Sequence, residues 1–253
     1  MSHEQHLTDS SGVPWDGREF HENPHAGDSG ETEPAVASAL SGFSEGVIGV
    51  TELVNVLSAS RALIPLLTNP GEDFDPNHPV MEDKVQELSI VTLVGPEGEA
   101  VLPAFTSVEA MKKWNGDARP IPIEMQRVAI AAASEGADRI VVNPGTEKIV
   151  LRRPMVWAIA QGESYVSPAE SVELFEHLSQ LLTRIEPIEK IELRYADPNL
   201  SGGGPEMALI AYLPPGLSEP ELNRVLAQIN EATANNQKLL QAAESMLIRF
   251  AAI

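Results

Sequence analysis

Hydrophobic and polar positions follow two periods along this chain, and the switches between them mark its elements. Ala35 to Ser44 and Thr51 to Ser58 carry short helical patterns, and Arg61 to Leu67 reads as a strand. Asn69 to Glu87 is an acidic stretch with three prolines and reads as a loop. Leu88 to Val94 and Glu99 to Phe105 are predicted strands around Gly95-Pro96-Glu97-Gly98, which is hairpin-turn chemistry. Thr106 stands three residues before Glu109, the spacing of a capping box opening a helix from Ser107 to Trp114. Pro120 to Ile123 follows without an assignment. Glu124 to Glu135 is then helical, and Gly136 ends it. Arg139 to Val142 and Lys148 to Arg152 read as strands joined through Asn143-Pro144-Gly145-Thr146.

Beyond residue 163 the pattern starts afresh. Ser167, Pro168 and Glu170 supply an N-cap, a proline at the first helical position and a capping-box acid. Leu174, Leu178, Leu181 and Ile185 then line one helical face. Strands are expected over Ile188 to Tyr195 and Met207 to Leu213, on either side of the loop Asn199 to Pro205. Ser218 and Glu221 form another capping box, with Leu217 and Leu222 spaced as a hydrophobic staple. That helix runs through Ile229 toward Ala243, with a break expected at Asn235-Asn236, and Met246 to Ile253 is a closing strand. Strands interleaved with helices imply an α/β or α+β fold, a mixed sheet with flanking helices. We expect two small domains, 35–163 and 164–253, the second in the order α-β-β-α-β. No internal repeat relates them.

Composition changes this picture mainly at the front. Residues 1–34 hold eight acids against one base, Arg18, and four of the six histidines. Such a segment has too little apolar surface to offset its ordering entropy, so a disordered or extended leader is expected. Trp15 and Phe20 are its two aromatic exceptions. Deleting 1–34 is expected to leave the fold nearly unchanged. No basic stretch followed by an apolar one opens the chain, and its longest apolar run, Met207 to Leu213, is seven residues. A bilayer span needs about 20, so a cytoplasmic protein with no membrane partner is expected. The net charge of −20 works against phosphate backbones. Lys112-Lys113 and Arg152-Arg153 are isolated basic pairs, so no nucleic-acid partner is expected.

Candidate chemistry is sparse. With no cysteine, disulfides, thiolate nucleophiles and Cys-ligated zinc are excluded. His3, His6, His21 and His25 have metal-like spacing but lie in the leader, where a preorganised site is not expected; His78 and His177 have no evident partner. Asp73-x-Asp75-x-Asn77 opens like a calcium loop, yet His78 replaces the required Gly and Lys84 the bidentate Glu. Gly202-Gly203-Gly204 precedes Pro205 and a strand rather than a helix N-terminus, so a flexible inter-strand loop is the better reading than a phosphate cradle. No metal or cofactor is expected.

Two segments say more. Leu102-Pro103-Ala104-Phe105-Thr106-Ser107 and Val141-Val142-Asn143-Pro144-Gly145-Thr146 each end a predicted strand in polar, turn-forming residues. If the two strands are parallel neighbours, Thr106 and Asn143 meet at their carboxyl ends, where open α/β sheets bind ligands. Phe105, Thr106, Asn143 and Gly145 are the candidate binding residues. The structural alternative is a cap at Thr106 and a tight turn at Asn143-Pro144-Gly145.

The same segments resemble the SseB-family N-terminal domain over about residues 45–160, with Pro120 to Ile123 as further support. The leader, Trp15-Asp16-Gly17-Arg18 through Asn23-Pro24 to Gly27-Asp28-Ser29-Gly30, is similar to that of actinobacterial members, with His25 where Phe is expected. The C-terminal unit resembles the second domain that often accompanies the first. The resemblance implies an α/β domain and carries no catalytic residue set. The resulting expectation is a non-enzymatic binding or regulatory protein of undefined protein or small-molecule partner. The alternatives are a small-metabolite sensor with its site near Thr106 and Asn143, or an enzyme using carboxylates or hydroxyls alone.

Overall fold

The computed structural model describes residues 25, 27–67, 91–95 and 98–253. The acidic loop with its calcium-like residues, the start of the strand expected from Leu88, the turn residues Pro96 and Glu97, and His3, His6, Trp15, Phe20 and His21 lie outside them. The described chain is α+β. Helices α1 (Pro34–Ser44) and α2 (Val50–Ser58) lead into strand β1 (Arg61–Leu66). Next come β2 (Leu93–Val94), β3 (Ala100–Ala104), α3 (Val108–Trp114), β4 (Arg119–Glu124) and α4 (Met125–Ser134). Strands β5 (Arg139–Val142) and β6 (Ile149–Leu151) and helix α5 (Arg153–Gln161) follow. The remainder is α6 (Val172–Leu182), β7 (Lys190–Tyr195), β8 (Met207–Leu213), α7 (Glu219–Thr233), α8 (Gln237–Ala242) and β9 (Met246–Ala252).

Three sheets result among the described residues. The central one has the order β2-β3-β5-β6, with β3 and β5 parallel and both edge pairings antiparallel. Strands β1 and β4 form an antiparallel ribbon, tied to the central sheet where Leu63 and Phe105 exchange backbone hydrogen bonds. The third sheet is β7-β8-β9, with β8 and β9 parallel. Strand β4 was not assigned from the sequence because it contains two prolines. Pro120 and Pro122 stand two apart and so share one side of the strand, leaving the N–H groups of Ile121 and Ile123 on the other, and an edge strand tolerates this.

One core packs α1, α2, α4 and α5 against one face of β1, β3, β5 and β6. A smaller cluster of Leu63, Phe105, Met111 and Ala118 places α3 elsewhere on the sheet. A third packs α6, α7 and α8 on the last sheet. The loop Asn199 to Pro205 belongs to the seam between the first and third. Leu200 is buried in the first core, and its carbonyl accepts from Val150 N. Gly202, at φ 78°, lies so close to β6 that a Cβ there would fall 2.8 Å from Val150 Cγ2. Only glycine fits both the backbone and the approach. Gly202 is therefore a packed junction, where the sequence suggested a flexible loop, while Gly203 and Gly204 stay exposed.

Contact with the body also begins before residue 35. Asp28 pairs with buried Arg61, whose guanidinium also donates to the carbonyls of Glu31 and Thr106. Val108 N donates to Gly30 O. Residues 28–33 thus strap the carboxyl end of β3, and a deletion to 34 removes this strap as well as the leader proper.

Candidate functional site

The conditional reading of the two motif segments matches the geometry. Because β3 and β5 are parallel, with Ala104 opposite Val142, Thr106 and Asn143 emerge side by side. Asn143 Oδ1 accepts from Thr106 N at 2.9 Å, and Asn143 Nδ2 donates to Thr106 Oγ1 at 3.0 Å. Thr106 Oγ1 also lies 3.1 Å from Thr32 Oγ1 of the strap. Both residues are buried. Their polar groups largely satisfy one another, which makes them a knot joining two strand ends. A depression of about 750 Å³ opens beside them, with Lys113, Glu109 and Lys148 on its walls.

The other two predicted site residues are placed differently. Phe105 is fully buried, its ring 5.3 Å from that of Trp114 in the small core, and does not line the depression. Gly145, at φ 86°, supports the turn after β5 and packs beside Trp114. Thr106 does not cap α3: its N–H is taken by Asn143, and the cap passes to Ser107, whose Oγ accepts from Ala110 N at 3.1 Å. The expected N-cap at Ser167 also moves. Residues 168–170 form a turn closed on Ser167 O, and Ser171 caps α6 by accepting from Leu174 N. The capping box of Ser218 and Glu221 is present, and Asn236 caps α8 at the expected break. His177 finds a partner in Asn236 Nδ2 at 2.8 Å.

A second polar cluster lies at the seam between the cores. Arg152, completely buried at the end of β6, donates to Asp197 Oδ2 at 2.8 Å and to Gly204 O at 3.1 Å. Burial pushes the Asp197 carboxyl up, but hydrogen bonds from Ser201, Arg152 and Gly202 together outweigh it and hold it below the usual range. Arg139 on β5 pairs with Glu244 and Glu99. Glu206 is fully buried and accepts from Glu244 N at 2.6 Å, with the Tyr165 hydroxyl at 3.5 Å. Burial raises its pKa, against the opposing backbone hydrogen bond and the Arg152 charge. Burial likewise raises the phenols of Tyr165 and Tyr195. Arg152 and Arg153, adjacent in sequence, thus part company: one is locked in the seam and the other opens α5. The two carboxylates have opposite shifts but line neither the depression at Thr106 nor the groove described next. Among the described residues, no group of three His, Cys, Asp or Glu side chains could hold a metal.

The third feature escaped sequence reading. Helix α5 runs across from α8, and a groove of about 770 Å³ lies between them, floored by Tyr165 and Ala158. Large apolar side chains stand open around it: Trp157 is 57% exposed, Val166 51% and Leu240 51%. Proline just inside a helix start and glycine just past its end are boundary signals, and Pro154 and Gly162 supply both here. They could have revealed α5, and with it Trp157 on the face away from the core.

Residues 36–158 match the family model described as SseB protein N-terminal domain. The match supports the SseB family for the unit that carries the Thr106–Asn143 knot and α5. Comparison with curated proteins and with solved structures found no match. Among the described residues, no helix is long and apolar enough to cross a membrane.

Proposed function

We propose, starting from an SseB-type N-terminal unit, that this chain is a non-enzymatic cytoplasmic protein that binds a peptide segment of a protein partner in the α5–α8 groove. In our reading it has two domains, 35–163 and 164–253, and its leader sets it beside actinobacterial members. The observation that carries the reading is the grouping of Trp157, Val166 and Leu240, each more than half exposed, around one groove. Isolated exposed apolar side chains are ordinary, whereas a contiguous set rimmed by polar groups marks an interaction surface. The rim here is Arg153, Gln161, Glu163, Gln237 and Gln241. Fully burying a side chain of this size contributes about 1.5–3 kcal/mol, so three half-exposed ones offer roughly 3 kcal/mol in all. Tryptophan, here Trp157, is among the residue types most enriched at binding hot spots.

The test is capture from native lysate with three full-length baits: the protein itself, Leu240→Glu, and Val47→Glu, an exposed position outside the groove. A partner retained by the Val47 variant and depleted about tenfold or more by the Leu240 variant is the expected result, in line with the loss of one anchor. Identical captured sets from all three baits would defeat the reading.

A second reading, a small-metabolite sensor, is favoured by the depression beside Thr106 and Asn143. With those two side chains engaged with each other and Lys113 paired with Glu109, the ligand would meet two lysines and two glutamates, and so would be a polar molecule of little net charge. Nothing in the site favours an enzyme using carboxylates or hydroxyls.

A further inference from the structure

The geometry points to an occupant for the α5–α8 groove: the chain's own leader, anchored through Trp15 and Phe20 and competing with the partner peptide. The inference rests on the groove being a docking surface, and three observations select the leader. The first is where the described chain begins. His25 Nε2 lies 3.3 Å from Glu124 Oε1, the residue that leads into α4. Two residues on, Gln126 Nε2 donates to Ala160 O, at the carboxyl end of α5. The leader is therefore tethered at the end of α5 where Gln161 and Glu163 line the groove.

The second is reach. Helix α5 has nine residues and is about 13 Å long. Phe20 stands five positions before His25 and Trp15 ten, and an extended chain covers about 17 Å and 35 Å over those separations. Both aromatics can lie alongside Trp157 and Leu240. The other long undescribed stretch, 68–90, leaves from Leu67, which packs against the small core around Phe105, away from the groove lining.

The third is charge. A leader running from its tether back along α5 comes last to Arg153, the one base among the described residues that line the groove. Asp16, next to Trp15, is the leader acid placed to meet it there. Tethering at this distance gives an effective concentration in the millimolar range, so even a weak anchor holds the groove against a dilute partner.

The chain has no cysteine, so Gln241→Cys in the full-length protein takes a benzophenone maleimide at one position on the groove rim. Irradiation at low protein concentration followed by peptide mapping reads what lies against it. The expected product is an intramolecular cross-link to residues 13–22, its yield independent of protein concentration and reduced about tenfold by Trp15→Ala with Phe20→Ala, the scale of two lost anchors. Cross-links that fall on residues 68–90, join two copies, or avoid the leader altogether would overturn the inference. Such a result leaves the docking reading standing so long as Leu240→Glu still loses the partner, and the two failures are thereby told apart.

Discussion

At the scale of single residues, the most informative is Asn143. Its backbone sits at φ 52°, a left-handed conformation that costs most side chains about 1–2 kcal/mol. Asparagine is tolerated there because its amide makes local hydrogen bonds, and here it satisfies Thr106 N and Thr106 Oγ1. Replacing it removes two things separable by design. Asn143→Ala loses the hydrogen bonds, orphans the buried Thr106 N–H and keeps the strain, for a total of about 3 kcal/mol. Asn143→Gly loses the same hydrogen bonds but relieves the strain, and should be about 1 kcal/mol less damaging. Urea unfolding of the two variants checks this. If alanine is no worse than glycine, the conformation at 143 carries no strain and the residue serves only as a hydrogen-bonding group.

At the scale of elements, the helix starts show how close propensity comes and where it stops. Sequence spacing offers Ser167 as the cap of α6, yet Ser171 holds that place. Ser167 is instead buried, its N–H donating to Thr51 Oγ1 on α2, so a tertiary contact fixes it four residues early. Ser171→Ala should cost about 1 kcal/mol and Ser167→Ala clearly less, as read by thermal melts of the two variants. Equal losses would mean that the cap is shared. The same competition moves the α3 cap from Thr106 to Ser107. The positions of β3, β5 and β6 were legible because those segments are short, apolar and bounded by turns, whereas the parallel pairing of β3 with β5, on which the Thr106–Asn143 meeting depends, stood only as a condition until the fold supplied it. Strand β4 and helix α5 were not assigned. The first hides behind two prolines that only an edge position allows. The second has apolar residues almost throughout, because one face is core and the other presents Trp157. Period alone cannot separate a buried face from a docking face.

At the scale of the whole molecule, the two larger cores meet through charge. Arg152 with Asp197, Arg139 with Glu244, and Glu206 beside Tyr165 join segments that are far apart in sequence. Composition gave no hint of this, since pairing across the seam exists only once both units have folded. Buried ion pairs add little net stability but fix one arrangement, because removing either partner strands a charge. Glu206 makes that seam sensitive to pH. It is faced by Arg152, Glu244, Tyr165 and Tyr195, and burial outweighs the rest to raise its pKa. The folded protein therefore binds this proton more tightly than the unfolded chain does. The contribution is fully present below the ordinary glutamate value and is lost as pH rises through the raised one. Glu206→Gln mimics the protonated form and can still accept from Glu244 N while meeting the Tyr165 hydroxyl. Near pH 4.5, the ordinary value, variant and parent should melt at similar temperatures, whereas by pH 8 the variant should melt higher. Each kcal/mol of difference appears as about 2–4 °C in a chain of this size. A gap that stays constant across this range would show that Glu206 keeps the same protonation state in both forms of the protein, and that the seam is held by geometry alone.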